Sequence, residues 1–394
     1  MSPDPTPGLK DALAGAAAEM VDTRRDLHRH PELAHQERRT AALAAARCRE
    51  LGYSVREGVG GTGVLADIEG AGPGSTVIYR ADMDALPIPE ADDGRPVRSE
   101  TPGLMHACGH DGHVAIALGV ARVMAGLRWS WRGRLRLCFQ PAEEGAAGAL
   151  PMIEDGALEG VDRALGLHLW TPLDAGRVAV TGETLFASAD EFRLVVRGAG
   201  GHGGLPHRSV DAVVAAAHVV VALQTLVSRE VAPDRSAVVS IGTVHGGRAH
   251  NVIAEEVELH GTVRAPEQAL RESLMARVEE VSRGVAEALR ARLDFELVAG
   301  CPPVVNDPES AEVVRRAAVE AVGEANVEFA RTLTVGDDMA YLLERVPGCY
   351  YLVGAGDPAL ADRPPHHHAR FDIDERALPA GLSTSVRALL TWLR

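Results

Sequence analysis

The sequence lacks several features that would indicate a particular class of protein. Its five cysteines are scattered and form no CxxC pair, which fits reduced cytoplasmic thiols better than a disulfide framework. Positive charge is scarce: 40 Lys and Arg stand against 55 Asp and Glu, and the net charge of −15 argues against a general nucleic-acid or anionic-membrane surface. The first residues show no secretory signal, and no apolar run is expected to span a membrane. We therefore expect a cytoplasmic protein that binds neither nucleic acid nor membrane.

Length and periodicity predict two α/β domains, because 394 residues are long for a single core. Up to about residue 186, β-rich runs such as 63–69 and 75–82 alternate with predicted helices over 111–127 and 144–155, which favours a largely parallel sheet. From about residue 189 the order becomes β-α-β-β-α-β, which is typical of the ferredoxin-like fold. The prediction is a mixed, largely parallel-sheet domain formed by residues 1–186 and 299–394, with a ferredoxin-like α+β domain inserted at 187–298.

The first helix of the inserted domain, DAVVAAAHVVVALQTLV at residues 211–227, is apolar nearly all round. One face must pack on its own sheet, so the opposite face is left exposed, and such a surplus usually marks an interface. His218 in this helix is interpreted as a satisfied, partly buried histidine. We therefore predict a homodimer or higher homo-oligomer formed through the inserted domain.

The segment HACGHDGH, residues 106–113, indicates a metal site in the first domain. His106, Cys108 and His110 alternate, so an extended backbone would direct all three side chains to one side. Imidazole and thiolate are ligands that zinc and related divalent ions prefer. A histidine-rich polar loop is the alternative interpretation.

Three further segments carry candidate ligands at or near predicted strand ends. Glu143 and Glu144 are neighbours, and in an extended segment they would point to opposite sides, so that one could bind a metal while the other acts as a general base. The alternative is that both open a helix and favour its dipole. His168 ends an apolar strand, and PPHHHARFDIDE supplies His366, His367 and His368, although each could also be structural. Together these groups predict a metal centre at one edge of the sheet.

With these motifs the chain resembles the amidohydrolase family of hippurate hydrolases and indole-acetyl-amino-acid hydrolases, within the aminoacylase and carboxypeptidase superfamily. The matching segments lie between Arg24 and Glu375 and include RRDLHRHPEL, RADMDALPI, HACGHDGH, FQPAEEGAAGA, GLHLWTPLDAG and GAGGHGGLPH. The resemblance implies that the first domain is the metal-binding catalytic domain and the inserted one a dimerisation and lid domain. The implied reaction is metal-dependent hydrolysis of an N-acyl-amino acid to a carboxylate and a free amino acid.

The resemblance also implies roles for individual residues. The ligands of two divalent ions (zinc, manganese or cobalt) would be Cys108, His110, Glu144, His168 and His367. Glu143 matches the general base. It would take a proton from the metal-bound water, which becomes the attacking hydroxide, and pass that proton to the leaving amine. His202 matches an inserted-domain histidine that reaches a neighbouring subunit's active site and polarises the scissile carbonyl. Asn251 and Arg264 match positions near substrate, and Asp82 and Asp84 match acids that orient histidine ligands.

The chain departs from the family pattern at three places. Ala369 stands where the family has proline after its histidine pair, which leaves the ligand register between His366 and His367 open. Ala254 ends NVIA, where the family has proline, and VGDDM at 335–339 replaces a motif that often reads GSEDF. None of these departures removes a ligand or the base, and they leave the preferred substrate open. The alternatives are a dipeptidase or carboxypeptidase of the same superfamily, and a non-catalytic protein that keeps the metal pocket.

Overall fold

The computed structural model describes residues 8–145 and 148–394. These residues form two compact units. Unit 1 comprises the described residues up to Leu185 together with Val305–Arg331 and Asp338–Arg394, and unit 2 comprises Phe186–Val304 and Thr332–Asp337. The chain returns to unit 1 after Val304, whereas the predicted boundary was 298/299, because the last strand of unit 2 continues to Cys301.

An eight-stranded mixed sheet lies at the centre of unit 1. In chain order its strands are β1 (Ser54–Val59), β2 (Gly63–Glu69), β3 (Thr76–Asp82), β4 (Arg134–Gln140), β5 (Arg163–Asp174), β6 (Val178–Val180), β15 (Val327–Phe329) and β16 (Gly348–Gly356). The spatial order is β1-β2-β4-β3-β5-β16-β6-β15. The central strands β4, β3, β5 and β16 are parallel, and β3 and β16 are buried along their whole length, as parallel strands covered on both faces are. The predicted mixed sheet with a largely parallel centre is confirmed.

Seven helices of unit 1 surround this sheet within the described residues. They are α1 (Leu9–Arg29), α2 (Arg38–Glu50), α3 (His110–Gly126), α4 (Ala149–Glu154), α7 (Pro308–Val322), α8 (Ala340–Leu343) and α9 (Leu378–Trp392), with short 3-10 segments at Arg128–Ser130, Glu324–Asn326 and Glu375–Ala377. Helix α3 is almost entirely buried between the sheet, α1 and α9. Because α3 is covered on all sides, its apolar residues need no amphipathic stripe.

The predicted helix over 144–155 is wrong in its first half. The structure has a turn at 143–145, residues 146 and 147 lie outside the described part, and α4 begins only at Ala149. At Gly148 a side-chain Cβ would lie 1.6 Å from the carbonyl oxygen of Pro141, and the Gly148 N–H donates to the carbonyl of Ala142 at 3.2 Å, so only glycine fits this close return of the chain before α4.

Unit 2 has the ferredoxin-like order that the sequence predicts. Its elements are β8 (Ala189–Arg197), β9 (Gly201–His202), α5 (Ala212–Thr225), β10 (Val238–Gly246), β11 (Val252–Ile253), β12 (Glu256–Arg264), α6 (Gln268–Ala288) and β13 (Arg292–Cys301), with a 3-10 turn at Pro206–Arg208 and a π-helical turn at Leu226–Glu230. The main sheet has the order β10-β12-β8-β13 and is antiparallel throughout. Strands β9 and β11 form a separate pair, and so do β7 (Thr184–Phe186) and β14 (Val304–Val305), where the chain passes between the units.

Helix α5 and the turn after it, Ala212–Glu230, are long and apolar enough by length and composition to cross a membrane. The expectation that no apolar run reaches that length is therefore wrong by this measure. Core helices of globular proteins pass the same test, and α5 packs one face, including Val219 and Leu223, into the core of unit 2. Val221 on the opposite face is 70% exposed. His218 is also exposed rather than partly buried, and its Nδ1 bonds the carbonyl of Val214.

Candidate metal centre

Four segments of unit 1 bring the five predicted ligands together. Cys108 lies in the loop before α3, His110 is the first residue of α3, Glu144 follows β4, His168 lies in β5, and His367 lies in the loop after β16. The ligand atoms form overlapping groups whose members all lie within 4.8 Å of one another: Cys108, His110 and His168; Cys108, Glu144 and His367; and His110, Glu143 and Glu144. Because Cys108 belongs to two groups, its sulfur could serve two neighbouring cations.

Hydrogen bonds to main-chain carbonyls set which nitrogen of each ring faces the centre. The His110 Nδ1 lies 2.8 Å from the carbonyl oxygen of Asp84, and the His168 Nδ1 lies 2.8 Å from that of Leu169. A carbonyl can only accept, so both Nδ1 atoms carry a proton, and each Nε2 is the nitrogen that can bind a cation. The His168 Nε2 lies 3.5 Å from the Cys108 sulfur. Imidazoles oriented in this way are typical of metal sites.

Two buried polar atoms in this cluster have no hydrogen-bond partner among the described residues: the His110 Nε2 and the Glu144 Oε1. An unpaired buried polar atom costs free energy, so such atoms call for another partner. Burial lowers the pKa of His110, but the Asp82 and Asp84 carboxylates outweigh it and raise that pKa to about 10. The surroundings therefore favour a positive charge at this position. An unpaired imidazole nitrogen and an unpaired carboxylate oxygen in a group with a cysteine sulfur fit divalent cations.

An extended segment would direct the adjacent Glu143 and Glu144 side chains to opposite sides. In the structure the two side chains point to the same side. The Asp84 carboxylate accepts the main-chain N–H of Glu143 with one oxygen and that of Glu144 with the other, each at 3.0 Å. The preceding residue, Ala142, has φ of 55°, so the segment is a turn. Both carboxylates consequently reach the same group as His110, and the Glu143 Oε2 lies 3.9 Å from the His110 Nε2.

Within the histidine triplet, His367 is the member that joins the ligand groups. Its Nε2 lies 3.3 Å from the Glu144 Oε2, and hydrogen bonding to that carboxylate raises the pKa of His367. The His366 Nε2 instead donates to the carbonyl of Leu169 at 3.0 Å, and its ring stacks on Trp170. His367 has φ of 63°, a left-handed conformation that is uncommon for a residue other than glycine and that occurs often at functional sites.

His106 does not share the side of Cys108 and His110. The chain bends at Cys108 and Gly109, where Gly109 has φ of 96°, and His110 is already helical, so the three residues do not lie on one extended segment. His106 is buried, belongs to none of the ligand groups found among the described residues, and has no hydrogen-bond partner there for either ring nitrogen. Burial lowers its pKa to about 4. Of the three alternating residues, Cys108 and His110 therefore join the ligand groups and His106 does not.

Sequence reasoning missed a buried polar network next to the ligands. The Arg80 guanidinium contacts the carboxylates of Asp82 and Asp338, each at 2.7 Å. Asp338 also accepts from the Gln140 amide and from the main-chain N–H of Ala149. Burial raises the pKa of Asp82, but His110, Arg80 and His113 outweigh burial and hold it well below its usual range. The motif VGDDM, noted only as a departure from a family pattern, was the available signal for Asp338.

The remaining predicted site residues belong to unit 2. His202 is exposed, and its Nδ1 accepts the main-chain N–H of Gly204 at 2.9 Å, which leaves its Nε2 protonated and directed away from that turn. His202 pairs with Val252 in the β9–β11 pair, next to the exposed Asn251. Arg264 is half-buried and donates to the Thr262 hydroxyl at 2.5 Å.

Comparison with known proteins agrees with this geometry. The profile of Peptidase family M20/M25/M40 matches residues 78–391. An N-acyl-L-amino acid amidohydrolase of Geobacillus stearothermophilus is 41% identical over 302 residues, covering 76% of this chain and 81% of that protein. An N-acetyl-L-cysteine deacetylase of Bacillus subtilis is 39% identical over 367 residues, covering 93% and 86%.

A solved structure shares the whole fold. The Bacillus subtilis YxeP protein, described as a dinuclear metal binding peptidase from the M20 family, aligns with a TM-score of 0.84 and 32% identity over 96% of this chain and 99% of that chain. The resemblance inferred from the motifs is confirmed. The chain belongs to peptidase family M20/M25/M40 and is a metal-dependent amide hydrolase.

Proposed function

We propose that this enzyme hydrolyses N-acyl-amino acids to a carboxylate and a free amino acid, with two divalent cations held by Cys108, His110, Glu144, His168 and His367. The observation that carries the proposal is the position of Glu143. Its carboxylate lies in one group with His110 and Glu144, so a base stands beside the proposed ligands. A protein that only bound a metal would need no such base. Two relatives of about 40% identity that act on N-acyl-amino acids support the substrate class.

The chain's own groups account for the proton transfers of this reaction. Bound divalent cations supply activation of water and polarisation of the amide carbonyl. Glu143 takes the proton of the attacking water and returns it to the leaving nitrogen. The Asp84 carboxylate accepts the main-chain N–H groups of Glu143 and Glu144 and so holds the turn that carries the proposed base and ligand. The Nδ1–H groups of His110 and His168 donate to main-chain carbonyls, which directs both Nε2 atoms towards the proposed cations.

His202 is proposed to act on the substrate from the inserted unit of a neighbouring subunit, and Asn251 and Arg264 are proposed to lie near the substrate. The fixed Nδ1 of His202 leaves its Nε2–H as a donor that can stabilise an oxyanion. Asn251 would hold the substrate's carboxylate, and Arg264 would line the same region.

A homodimer through unit 2 is part of this proposal. Strand β10 is an edge of its sheet, and Val244 on it is 59% exposed. The outward face of α5 exposes Val213, Val214 and Val221. An unpaired strand edge beside an apolar helix face is a typical self-association surface. Val221→Asp should convert the dimer to a monomer by light scattering at micromolar concentration, whereas Ser228→Asp, on the following turn, should not.

A cytoplasmic location is also proposed. All five cysteines are buried and carry thiols that are not in disulfides. That arrangement suits a reducing compartment.

The test of the proposed activity is metal reconstitution followed by a substrate panel. Chelated protein is reloaded with Zn²⁺, Mn²⁺ or Co²⁺ and assayed with hippurate, N-acetyl-amino acids and dipeptides. The proposal expects hydrolysis of the N-acyl-amino acids in at least one metal form. Hydrolysis of dipeptides alone would indicate a dipeptidase or carboxypeptidase, and thermal stabilisation by product amino acids without turnover would indicate a binding protein.

A further inference from the structure

We propose that His113 is a positioning residue that sets the coordination geometry of His168 without binding a cation itself. The inference rests on the proposed metal centre. His113 lies on the first turns of α3, is buried, and falls in one group with Asp82 and His110. A histidine so close to the ligands would ordinarily be counted as one of them.

Both ring nitrogens of His113 are already used. The Nδ1 lies 2.6 Å from the Asp82 Oδ1, and the Nε2 lies 2.9 Å from the main-chain nitrogen of Leu169. A main-chain N–H can only donate, so the Nε2 must accept and the Nδ1 must carry the proton that Asp82 accepts. No lone pair of the ring is left for a cation. His113 is therefore excluded as a ligand by its hydrogen bonds.

The acceptor role of His113 acts on the strand that carries His168. The N–H that it binds belongs to Leu169, the residue directly after His168. The carbonyl of Leu169 accepts from the His168 Nδ1 at 2.8 Å and from the His366 Nε2 at 3.0 Å. The N–H of Leu169 thus donates to His113, while its carbonyl accepts from two other histidine rings. This arrangement fixes the direction of the His168 Nε2, which lies 3.5 Å from the Cys108 sulfur.

The other end of this chain of contacts is anchored in the buried network. The Asp82 Oδ2 accepts from Arg80 at 2.7 Å, and Arg80 contacts Asp338 at the same distance. Asp82 therefore cannot turn away from His113 without leaving a buried guanidinium short of a partner. A continuous series of hydrogen bonds therefore links the buried network to the proposed ligand. It runs from Arg80 through Asp82, His113 and Leu169 to His168. Residues that orient metal ligands in this way change metal affinity when they are replaced.

Three replacements of His113 separate its two hydrogen bonds. Glutamine places its amide oxygen near the Nε2 position and can still accept from Leu169. Asparagine places its amide nitrogen near the Nδ1 position and can still donate to Asp82. Alanine can make neither hydrogen bond. We expect His113→Ala and His113→Asn to weaken Co²⁺ and Zn²⁺ binding by about 10- to 100-fold, measured by competition with a chelator. His113→Gln should recover most of that loss. The thiolate-to-cobalt charge-transfer band should shift in the alanine and asparagine variants.

Tyr53→Phe is the matched control. It removes another buried hydrogen bond to α3, from the tyrosine hydroxyl to the carbonyl of Ala121 at 2.9 Å, but this bond does not involve the ligands. Its metal affinity should equal that of the wild type. Thermal unfolding of the chelated proteins separates loss of fold from loss of affinity, and if the alanine variant does not fold, the asparagine and glutamine pair decides.

Two results would overturn the inference. The first is wild-type affinity and an unshifted cobalt band in both His113→Ala and His113→Asn. The second is recovery by asparagine instead of glutamine, which would assign the effect to Asp82 alone. A wild-type protein that binds no Co²⁺ would overturn the proposed function as well, whereas normal wild-type binding with unchanged variants overturns only the role of His113.

Discussion

Charged side chains lie inside unit 1, whereas on the outer face of the sheet of unit 2 they lie in solvent. Arg80 is 2% exposed and contacts the buried carboxylates of Asp82 and Asp338. In unit 2, Arg193 contacts Glu258 and Glu296 across β8, β12 and β13, and its side chain is 36% exposed. Both arrangements are networks of ion pairs, yet only the first adjoins the candidate ligands.

The difference indicates what each network does. Burying charges costs desolvation free energy that the pairing often does not exceed, so a buried network is weak evidence for stability. Its consequence in unit 1 is geometric, because Asp82 accepts from both Arg80 and His113. Surface pairs such as those of Arg193 are screened by water and contribute little. We therefore expect unit 1 to be sensitive to the loss of single charges and the outer face of unit 2 to be tolerant.

The largest effect is expected from Glu143→Ala in unit 1. Removing a general base should lower kcat by about 10²- to 10⁴-fold, while the metal content stays at the wild-type level. Activity and metal content, the latter by mass spectrometry, are measured on the same preparation. Glu144→Ala is the matched control, since the neighbouring carboxylate is the proposed ligand and its loss should lower metal content. Loss of metal in Glu143→Ala would reassign that residue as a ligand.

The next effect is expected from Arg80→Met. It leaves Asp82 and Asp338 buried without their cation, and breaking a buried pair by removing one partner costs about 3–5 kcal/mol of unfolding free energy. All four tryptophans lie in unit 1, so urea unfolding followed by tryptophan fluorescence reports on that unit. An unfolding curve like that of the wild type would show that the buried network is dispensable and would remove the contrast between the units.

The His202→Ala variant tests whether a residue of unit 2 takes part in catalysis. If its Nε2–H stabilises the oxyanion, kcat should fall by about 100-fold or more. Steady-state kinetics should show the loss in kcat, and far-UV circular dichroism should be unchanged because the side chain is exposed. His207→Ala, another exposed histidine of the same unit, is the control. Wild-type rates for His202→Ala would confine catalysis to unit 1.

The smallest effect is expected from Arg193→Met. The side chain lies on the outer face of the sheet, and its partners stay hydrated when it is removed. Thermal unfolding followed by circular dichroism should shift in Tm by less than about 2 °C. A large fall in Tm would mean that the surface network of unit 2 matters as much as the buried network of unit 1.

Much of this architecture could be predicted because it depends on local patterns. The strand β2 has the predicted bounds, Gly63–Glu69, and the ferredoxin-like order followed from alternation in the strands and from the 3.6-residue period of α6. The two antiparallel strands at one edge of the large sheet were not predicted, because the direction of a neighbour is set by the connection and not by a strand's own residues.

What could not be predicted depends on contacts between distant residues. The turn at Glu143 and Glu144 is held by Asp84, and the sequence around the two glutamates does not predict that contact. The choice of His367 over His366 follows from a left-handed backbone and from the carbonyl of Leu169. His113 was visible in the motif, but its role depends on Asp82 and Leu169, which only the folded chain brings to its two nitrogens.

The most direct test of the metal centre is a Co²⁺ titration of chelated wild-type and Cys108→Ser protein, followed by thiolate-to-cobalt charge-transfer absorption. A cysteine shared by two groups of ligands predicts that the wild-type band saturates at two equivalents of Co²⁺ and that the serine variant lacks it. A wild type without the band, or a Cys108→Ser variant with the same band, would contradict the account.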